Sequence, residues 1–506
     1  MTRLRSFLML TAASLFSPMY LLASQPTLVS RPASLIGIGF GTVLMAGLVI
    51  VLIRQRFVAG ATYVAILASL GLQFGGLAAD SLFGSSFLLT LVALLVVMRL
   101  VWLLRGKEPI QFLFFAACLF FVASPLLTAA VSISRQGADE VVADSERGDF
   151  RQLRFQLRPD VVLVVLDSYA GRIALEQQFG FKNDQIERFL EGRRFHLPGS
   201  SWSSYPVTHL ALPSLLEMGY VLDEELSLTP QGETTLQAML GGENAVVETF
   251  KEQNYRITMV EAGYGRSRCG STIDVCVLAP LYDDAIHGLT QLSILRPILE
   301  HRVVHPSTRA SLASMTWLSS SIGALTHNES PDFVFAHLLI PHFPHFLDSS
   351  CEIQAEPMNA PALVRQPLES EARFLERKAA YIEQVECVNS FVEDFVELAG
   401  PETIIVFVGD HGTESLGHAQ TIPELWTDEQ LTERLNVFAA LRTPRECGRH
   451  HTMVLPNVFR TIIGCLASRP VELLEPRLFA ISASGERLVE VSGQRVSDLL
   501  ASEPNS

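Results

Sequence analysis

Asp410 and His411 stand side by side in GDHGTESLGH (409–418), at the end of the apolar run Ile404–Val408. A carboxylate beside an imidazole offers a divalent cation the oxygen and nitrogen donors that zinc and manganese accept. Three other stretches carry reactive groups of matching type. Asp167 ends the β-branched run DVVLVVLD (160–167). His342 and His345 lie three apart between prolines in LLIPHFPHFLD (338–348). SSWSSYPVTHLALPSLLEMGY (200–220) gathers Ser203, Ser204 and Thr208 just ahead of an apolar, helix-like run. A hydroxyl at a helix entrance can attack phosphorus or sulfur, because the backbone N–H groups there favour a developing anion.

Each of these residues has a bland reading by itself. Asp167 and the hydroxyls fit helix N-caps, histidines near prolines fit packing, and Asp-His is common in surface turns. As a set they supply two carboxylates, a hydroxyl and an imidazole, each following an expected strand. A metal bound to a Ser or Thr hydroxyl makes it a nucleophile at neutral pH and stabilises charge on a transferring phosphoryl group. His418 adds one more imidazole to the same stretch as Asp410.

The elements that must position these groups follow from the apolar pattern. Short runs at 160–167, 255–262, 332–340, 403–410 and 436–442 predict buried strands. Helical patterns at about 172–191, 233–253 and 369–399 alternate with them. Such alternation predicts an α/β domain with a mostly parallel sheet and helices on both faces. Ligands of such sheets sit beyond the carboxyl ends of the strands, where Asp167 and Asp410 fall.

Charge divides the chain of 506 residues more sharply. Residues 1–135 hold nine Lys/Arg and two acids, Asp80 and Glu108, whereas the rest holds 29 bases and 51 acids. Five apolar stretches, 6–23, 34–53, 57–79, 85–104 and 109–133, approach the ~20 residues that span a bilayer. Arg3, Arg5, Arg54, Arg56, Arg105 and Lys107 flank alternate ends, so the positive-inside rule places the N-terminus in the cytoplasm and everything after about 134 outside. Residues 1–24 also fit a cleaved signal peptide, which leaves that placement unchanged. The expected organisation is a multi-span α-helical membrane domain over 1–134, a juxtamembrane linker over 135–158, a catalytic domain over 159–466 and an extension over 467–506. The extension is expected to add an edge strand. The acidic outer part argues against nucleic acid as a partner. Six cysteines lie outside, which in an oxidising space suggests up to three disulfides; sequence order favours 269–276, 351–387 and 447–465 among 15 possible pairings.

PDVVLVVLDSY, SSYPVTHLALPSLLEMGY, PHFPHFLD, YIEQVECVN, GDHGTES and VLPNVFR occur in an order that resembles the sulfatase-like branch of the alkaline phosphatase superfamily. The resemblance covers about 159–465 and is nearest to membrane-anchored members, the lipoteichoic-acid synthases and the phosphoethanolamine transferases. It implies a bacterial plasma-membrane enzyme with its catalytic domain on the periplasmic side. Its activity would be to move a phospho-head group from a phospholipid through a phospho-threonine to an envelope glycan or lipid. It implies Thr208 as nucleophile and Asp167, Thr208, Asp410 and His411 as ligands of zinc or manganese. His342 resembles a histidine that contacts substrate phosphate, and His345 and His418 have weaker counterparts in substrate binding. Tyr381, Gln384 and Asn389 recur in the long helix. Formylglycine sulfatases need Cys or Ser followed by x-Pro-x-Arg, and Ser204-Tyr205-Pro206-Val207 is followed here by Thr208. That departure favours direct attack by Thr208. A hydrolase of phosphate or sulfate esters, and a non-catalytic envelope protein on the same fold, are the competing expectations.

Overall fold

The computed structural model describes residues 3–24, 57–58, 60–70, 87–104, 107–134, 150–221, 230–261, 267–277, 306–325, 330–358, 363–365, 369–443, 447, 450–482 and 487–501. These fall into two compact units, one N-terminal and helical, the other running from the linker region to the C-terminus.

In the N-terminal unit, helices span Arg3–Ser24, Gly60–Leu70, Phe87–Leu104 and Glu108–Ser134. Helix 3–24 packs along helix 108–134, and Tyr63 stacks on Phe114 with ring centroids 4.4 Å apart. Leu95, Val96, Leu100 and Leu103 on one helix, and Phe112, Leu113, Phe120 and Leu127 on another, are exposed. Among the described residues one helix, over Glu108–Pro125, is long and apolar enough to cross a membrane. The expected span at 34–53 and the first part of the expected linker, 135–149, lie outside the described residues.

The larger unit is built on a seven-stranded sheet. Its strands in chain order are β1 (Val161–Leu166), β2 (Phe195–His196), β3 (Arg256–Val260), β4 (Val275–Val277), β5 (Asp332–Leu338), β6 (Ile404–Gly409) and β7 (Ala439–Arg442). Their spatial order is β2-β7-β6-β1-β5-β3-β4. β4, β3, β5, β1 and β6 run parallel, and β7 is antiparallel to both of its neighbours. All six residues of β1 are fully buried. Val162, Val164 and Leu166 join a core made with helices 172–179, 306–325 and 371–398. Val161, Leu163 and Val165 join the opposite core, made with helices 208–217, 245–252 and 457–466. A strand covered on both faces has no polar side, and so it reads as a continuous apolar run.

The five strands expected from apolar runs are all present. Two expected helices are each divided: Gly180 adopts φ 63° and ends helix 172–179 before helix 184–192 begins, and helix 230–240 stops ahead of Gly242, at φ 104°. Glycine reaches these left-handed values without the Cβ clash that other residues meet. Beyond 467, strands 479–481 and 488–490 pair with each other in a separate ladder; they do not extend the edge of the central sheet. Disulfides join Cys269 to Cys276, Cys351 to Cys387 and Cys447 to Cys465.

Candidate metal centre and nucleophile

Register brings the carboxylates together. Leu166, the last residue of β1, lies opposite Leu338 of β5 on one side and Gly409 of β6 on the other. Asp167 and Asp410 therefore leave adjacent strands at the same level. The Asp167 N–H still bonds the Leu338 carbonyl at 3.0 Å, and the Ser168 N–H donates to Asp410 Oδ1 at 3.0 Å. The peptide after β6 must pass close to its neighbours. A Cβ on Gly409 would lie 2.3 Å from the Tyr169 carbonyl oxygen, and one on Gly412 2.0 Å from that of Glu433. Only glycine fits at either end of the Gly-Asp-His-Gly turn.

His411 is the hinge of the cluster. Its Nδ1 lies 3.0 Å from the Gly412 carbonyl, an acceptor, so the network assigns the ring proton to Nδ1 and the lone pair to Nε2. That Nε2 is 3.2 Å from Thr208 Oγ1, 3.5 Å from Asp410 Oδ2 and 3.8 Å from Asp167 Oδ1. Burial, with the Arg434 charge nearby, pushes His411 down to about 4 against the pull of Asp410 and Asp167. Its imidazole is therefore neutral at physiological pH and available as a ligand. Burial alone would raise Asp167, but His342, His337 and His411 outweigh it and hold the carboxyl well below the usual carboxylate range.

Thr208 is the first residue of helix Thr208–Glu217. Val207 occupies the N-cap in an extended conformation, and no side chain caps the helix. The Thr208 hydroxyl does not act as a cap; it faces His411 from the positive end of the helix. Asp167 is not a cap either, since Gly171 holds that position for helix 172–179. Ser203 Oγ donates to the Tyr205 carbonyl, and Ser204 Oγ has no hydrogen bond among the described residues.

The structure thus gathers Asp167, Thr208, Asp410 and His411 at one rim, and it adds His337. This residue sits inside β5, fully buried, with Nε2 3.2 Å from Asp167 Oδ2. Asp167, His337 and Asp410 present ligand atoms that all lie within 4.8 Å of one another. Two of the buried carboxylate oxygens, Asp167 Oδ1 and Asp410 Oδ2, have no hydrogen-bond partner among the described residues. Anionic oxygens left so in the interior are costly without a cation, and carboxylate oxygen with imidazole nitrogen is the donor set that zinc and manganese take. The residues present fit a divalent metal. The signal for His337 is an imidazole near the end of the apolar run FVFAHL (333–338).

The remaining candidates surround this centre. His342 lies between two cis X-Pro bonds, Ile340–Pro341 and Phe343–Pro344, with its ring edge-on to His411 at 6.1 Å between centroids. Gln384 fixes that loop: its Oε1 accepts from the N–H groups of Phe346 and Leu347, and its Nε2 donates to the His342 carbonyl. His345 is buried against Tyr381 and pushed down to about 3, first by burial and then by the charges of His342 and Arg377. His418 is packed edge-on to Trp426 at 4.6 Å, and burial holds it well below its ordinary value. Neither His345 nor His418 has a hydrogen bond to Asp167, Thr208, Asp410 or His411 among the described residues. Tyr381 Oη donates to the Ser168 carbonyl and accepts from the Ala170 N–H, which clamps the turn after Asp167. Asn389 bonds Tyr169 and Asn183 beneath the same turn.

Arg434 is a second residue that patterning missed. It is buried on the short helix Asp428–Leu435, where its Nε donates to the Pro206 carbonyl at 2.7 Å and its Nη1 to the Gly412 carbonyl at 2.8 Å. One guanidinium thus ties the loop before Thr208 to the turn carrying His411. An arginine next to a glutamate on a short polar helix carries no mark of this in the sequence.

A family model described as Sulfatase matches residues 159–434. The chain belongs to the sulfatase family. It is therefore an enzyme of the sulfatase and alkaline phosphatase superfamily, and its Asp167–His337–Asp410 group is a buried site able to bind a metal. Among solved structures, this sulfatase-family chain is similar to the integral membrane lipooligosaccharide phosphoethanolamine transferase A from Neisseria meningitidis. Identity there is 14%, 91% of this chain and 95% of that chain are covered, and the TM-score is 0.41. It is also similar to the C-terminal periplasmic domain of EcEptC from Escherichia coli in complex with Zn, at 14% identity over 67% of this chain and 95% of that one, TM-score 0.41. BT1596, a 2-O GAG sulfatase, is 11% identical over 64% of this chain and 78% of its own, TM-score 0.39. No curated protein matches the chain in sequence.

Proposed function

We propose that this sulfatase-family enzyme is a multi-pass transferase of the bacterial plasma membrane, with its catalytic unit on the periplasmic side. It takes a phospho-head group from a phospholipid onto Thr208 and passes it to a hydroxyl of an envelope glycan or lipid. The observation that carries the reading is the approach of Thr208 Oγ1 to His411 Nε2 at 3.2 Å, at an uncapped helix N-terminus and beside two buried carboxylates.

Asp167, Asp410 and His411, with Thr208, would hold zinc or manganese, and His337 would orient or join them. When bound, the metal supplies Lewis-acid stabilisation of oxygen charge. The chain's own residues do the rest. Thr208 Oγ attacks phosphorus as its O–H bond breaks, and the bond from phosphorus to the diacylglycerol oxygen breaks in turn. That oxygen gains one proton, delivered by His342, which is recharged by the proton that Thr208 released. In the second half the acceptor hydroxyl attacks phosphorus and gives up its proton, the bond from phosphorus to Thr208 Oγ breaks, and Thr208 takes up that proton. The backbone dipole of helix 208–217 favours the anionic phosphoryl group throughout.

The test is the mass of the detergent-purified protein after incubation with mixed phospholipids, with and without chelator. A metal-dependent adduct on the Thr208 peptide, absent in Thr208→Ala, is the expected result. Ester cleavage without an adduct in the absence of an acceptor favours the second reading, a hydrolase, which the family match also supports.

A further inference from the structure

The chain turns at the end of β1 through Asp167 and Ser168, where the Tyr169 N–H bonds the Leu166 carbonyl at 3.1 Å. Ser168 is the third residue of that turn and takes φ 62°. A positive φ at this place favours glycine or asparagine, because a Cβ crowds the backbone in the left-handed region. Strain of this kind persists only where the surroundings hold it, and it gathers at functional sites.

The surroundings of Ser168 are the candidate metal centre. Its N–H donates to Asp410 Oδ1 at 3.0 Å, an oxygen that also accepts from the His411 N–H at 2.9 Å. Both donors fall on Oδ1, and Oδ2 of the same carboxylate has no hydrogen bond among the described residues. The Ser168 hydroxyl is buried, 3.1 Å from His411 Nδ1 and 3.4 Å from the Gly412 carbonyl. That carbonyl already accepts from Arg434 Nη1 at 2.8 Å, and a carbonyl oxygen has only two lone pairs. With the ring proton on Nδ1, Ser168 Oγ is its second acceptor. The imidazole N–H is thus pinned between Oγ and the Gly412 carbonyl, and Nε2 faces Thr208. Tyr381 Oη donates to the Ser168 carbonyl at 2.9 Å and holds the turn in place.

We propose that Ser168 is a positioning residue for the metal centre. Its N–H aims Asp410 Oδ2 at the cation, and its hydroxyl aims His411 Nε2 there. Glycine at this position would ease the backbone but would supply only the N–H. The strain is tolerated for the sake of the hydroxyl. The inference rests on the reading of Asp410 and His411 as metal ligands, and Ser168 acts through both.

The test is chelator titration of the full-length, zinc-loaded protein in detergent, reading the zinc retained, together with denaturant unfolding in excess chelator. Ser168→Gly and Ser168→Ala both keep the N–H and lose the hydroxyl, but only glycine relieves the backbone. Both variants are expected to hold zinc roughly 10–100-fold more weakly than the native protein, the usual effect of losing a group that orients a ligand. In chelator, Ser168→Gly is expected to unfold at a denaturant midpoint no lower than the native one, and Ser168→Ala at a lower midpoint than Ser168→Gly. Zinc retention by Ser168→Gly equal to the native protein's would reduce Ser168 to a turn residue and overturn the proposal. Weaker retention with a lowered midpoint in Ser168→Gly would make the loss a folding defect and overturn it too. A native protein that retains no zinc removes the metal reading and this proposal with it, whereas native retention with an unaffected Ser168→Gly removes the proposal alone. None of these outcomes depends on whether Thr208 accepts a phospho-head group.

Discussion

His345 and His411 are held neutral by burial, the first at about 3 and the second at about 4. In the unfolded chain each titrates near ~6.5. Between those values the unfolded state binds protons that the folded state refuses, so stability is complete above about pH 6.5 and falls as the pH drops. His345 alone should cost about 3 kcal/mol by pH 4. Denaturant unfolding of His345→Leu, followed by tryptophan fluorescence from pH 7 to 4, should show a flatter pH dependence than the native protein; an unchanged slope would refute the assignment. The low value of Asp167 works only at lower pH, because a depressed carboxylate loses its contribution as the pH falls below its ordinary range. His337 would act on a bound metal through Asp167 Oδ2. His337→Gln should weaken zinc retention by roughly 10–100-fold, the usual effect of losing a group that orients a ligand, and zinc content after dialysis measures it. Gly412→Ala forces a Cβ into the Glu433 carbonyl; lowered thermal stability together with lost zinc is the expected outcome.

Elements were easier to read than contacts. β1 and β6 were legible because strands buried on both faces are apolar without interruption, and β3, β5 and β7 because they are interrupted only by one or two polar residues. The two-residue β2 and three-residue β4 are too short for a periodic signal. Helices 306–325 and 428–435 were not anticipated, the latter because it is mostly polar although six of its residues are buried. Asp167, Asp410, His411 and Thr208 were legible as chemistry-bearing types at strand and helix ends. His337 was masked by the apolar run around it, and Arg434 by an ordinary-looking helix. The helix bearing Arg434 is pinned by a capping box, in which Thr427 and Gln430 satisfy each other's backbone, and by Glu433, which accepts from Thr413 and from the N–H groups of Ser415 and Leu416. Arg434→Met should therefore loosen two loops at once, at a cost of about 1.5–3 kcal/mol for each of the two charge-assisted hydrogen bonds lost. The denaturant midpoint measures it. Arg434→Lys, lacking the planar fork that reaches both carbonyls, should recover little.

For the whole molecule, covalent ties reinforce the layers. Cys351–Cys387 joins the turn before strand 353–358 to helix 371–398, which also carries Tyr381 and Gln384. Opening that 36-residue separation should cost about 3–4 kcal/mol. The paired Cys351→Ser, Cys387→Ser variant should melt lower and lose order in the His342 loop, as seen by faster proteolysis there. The sheet's order carries a further consequence. Its three central strands, β6, β1 and β5, are neighbours in space but end at residues 409, 166 and 338 of the chain. A chain made from its N-terminus lacks the Asp410 and His411 of the candidate metal centre until about four-fifths of it has been synthesised. A shorter product lacks the Asp410 and His411 donors of that candidate centre. The candidate centre is thereby completed late, by the pairing of β6 with β1.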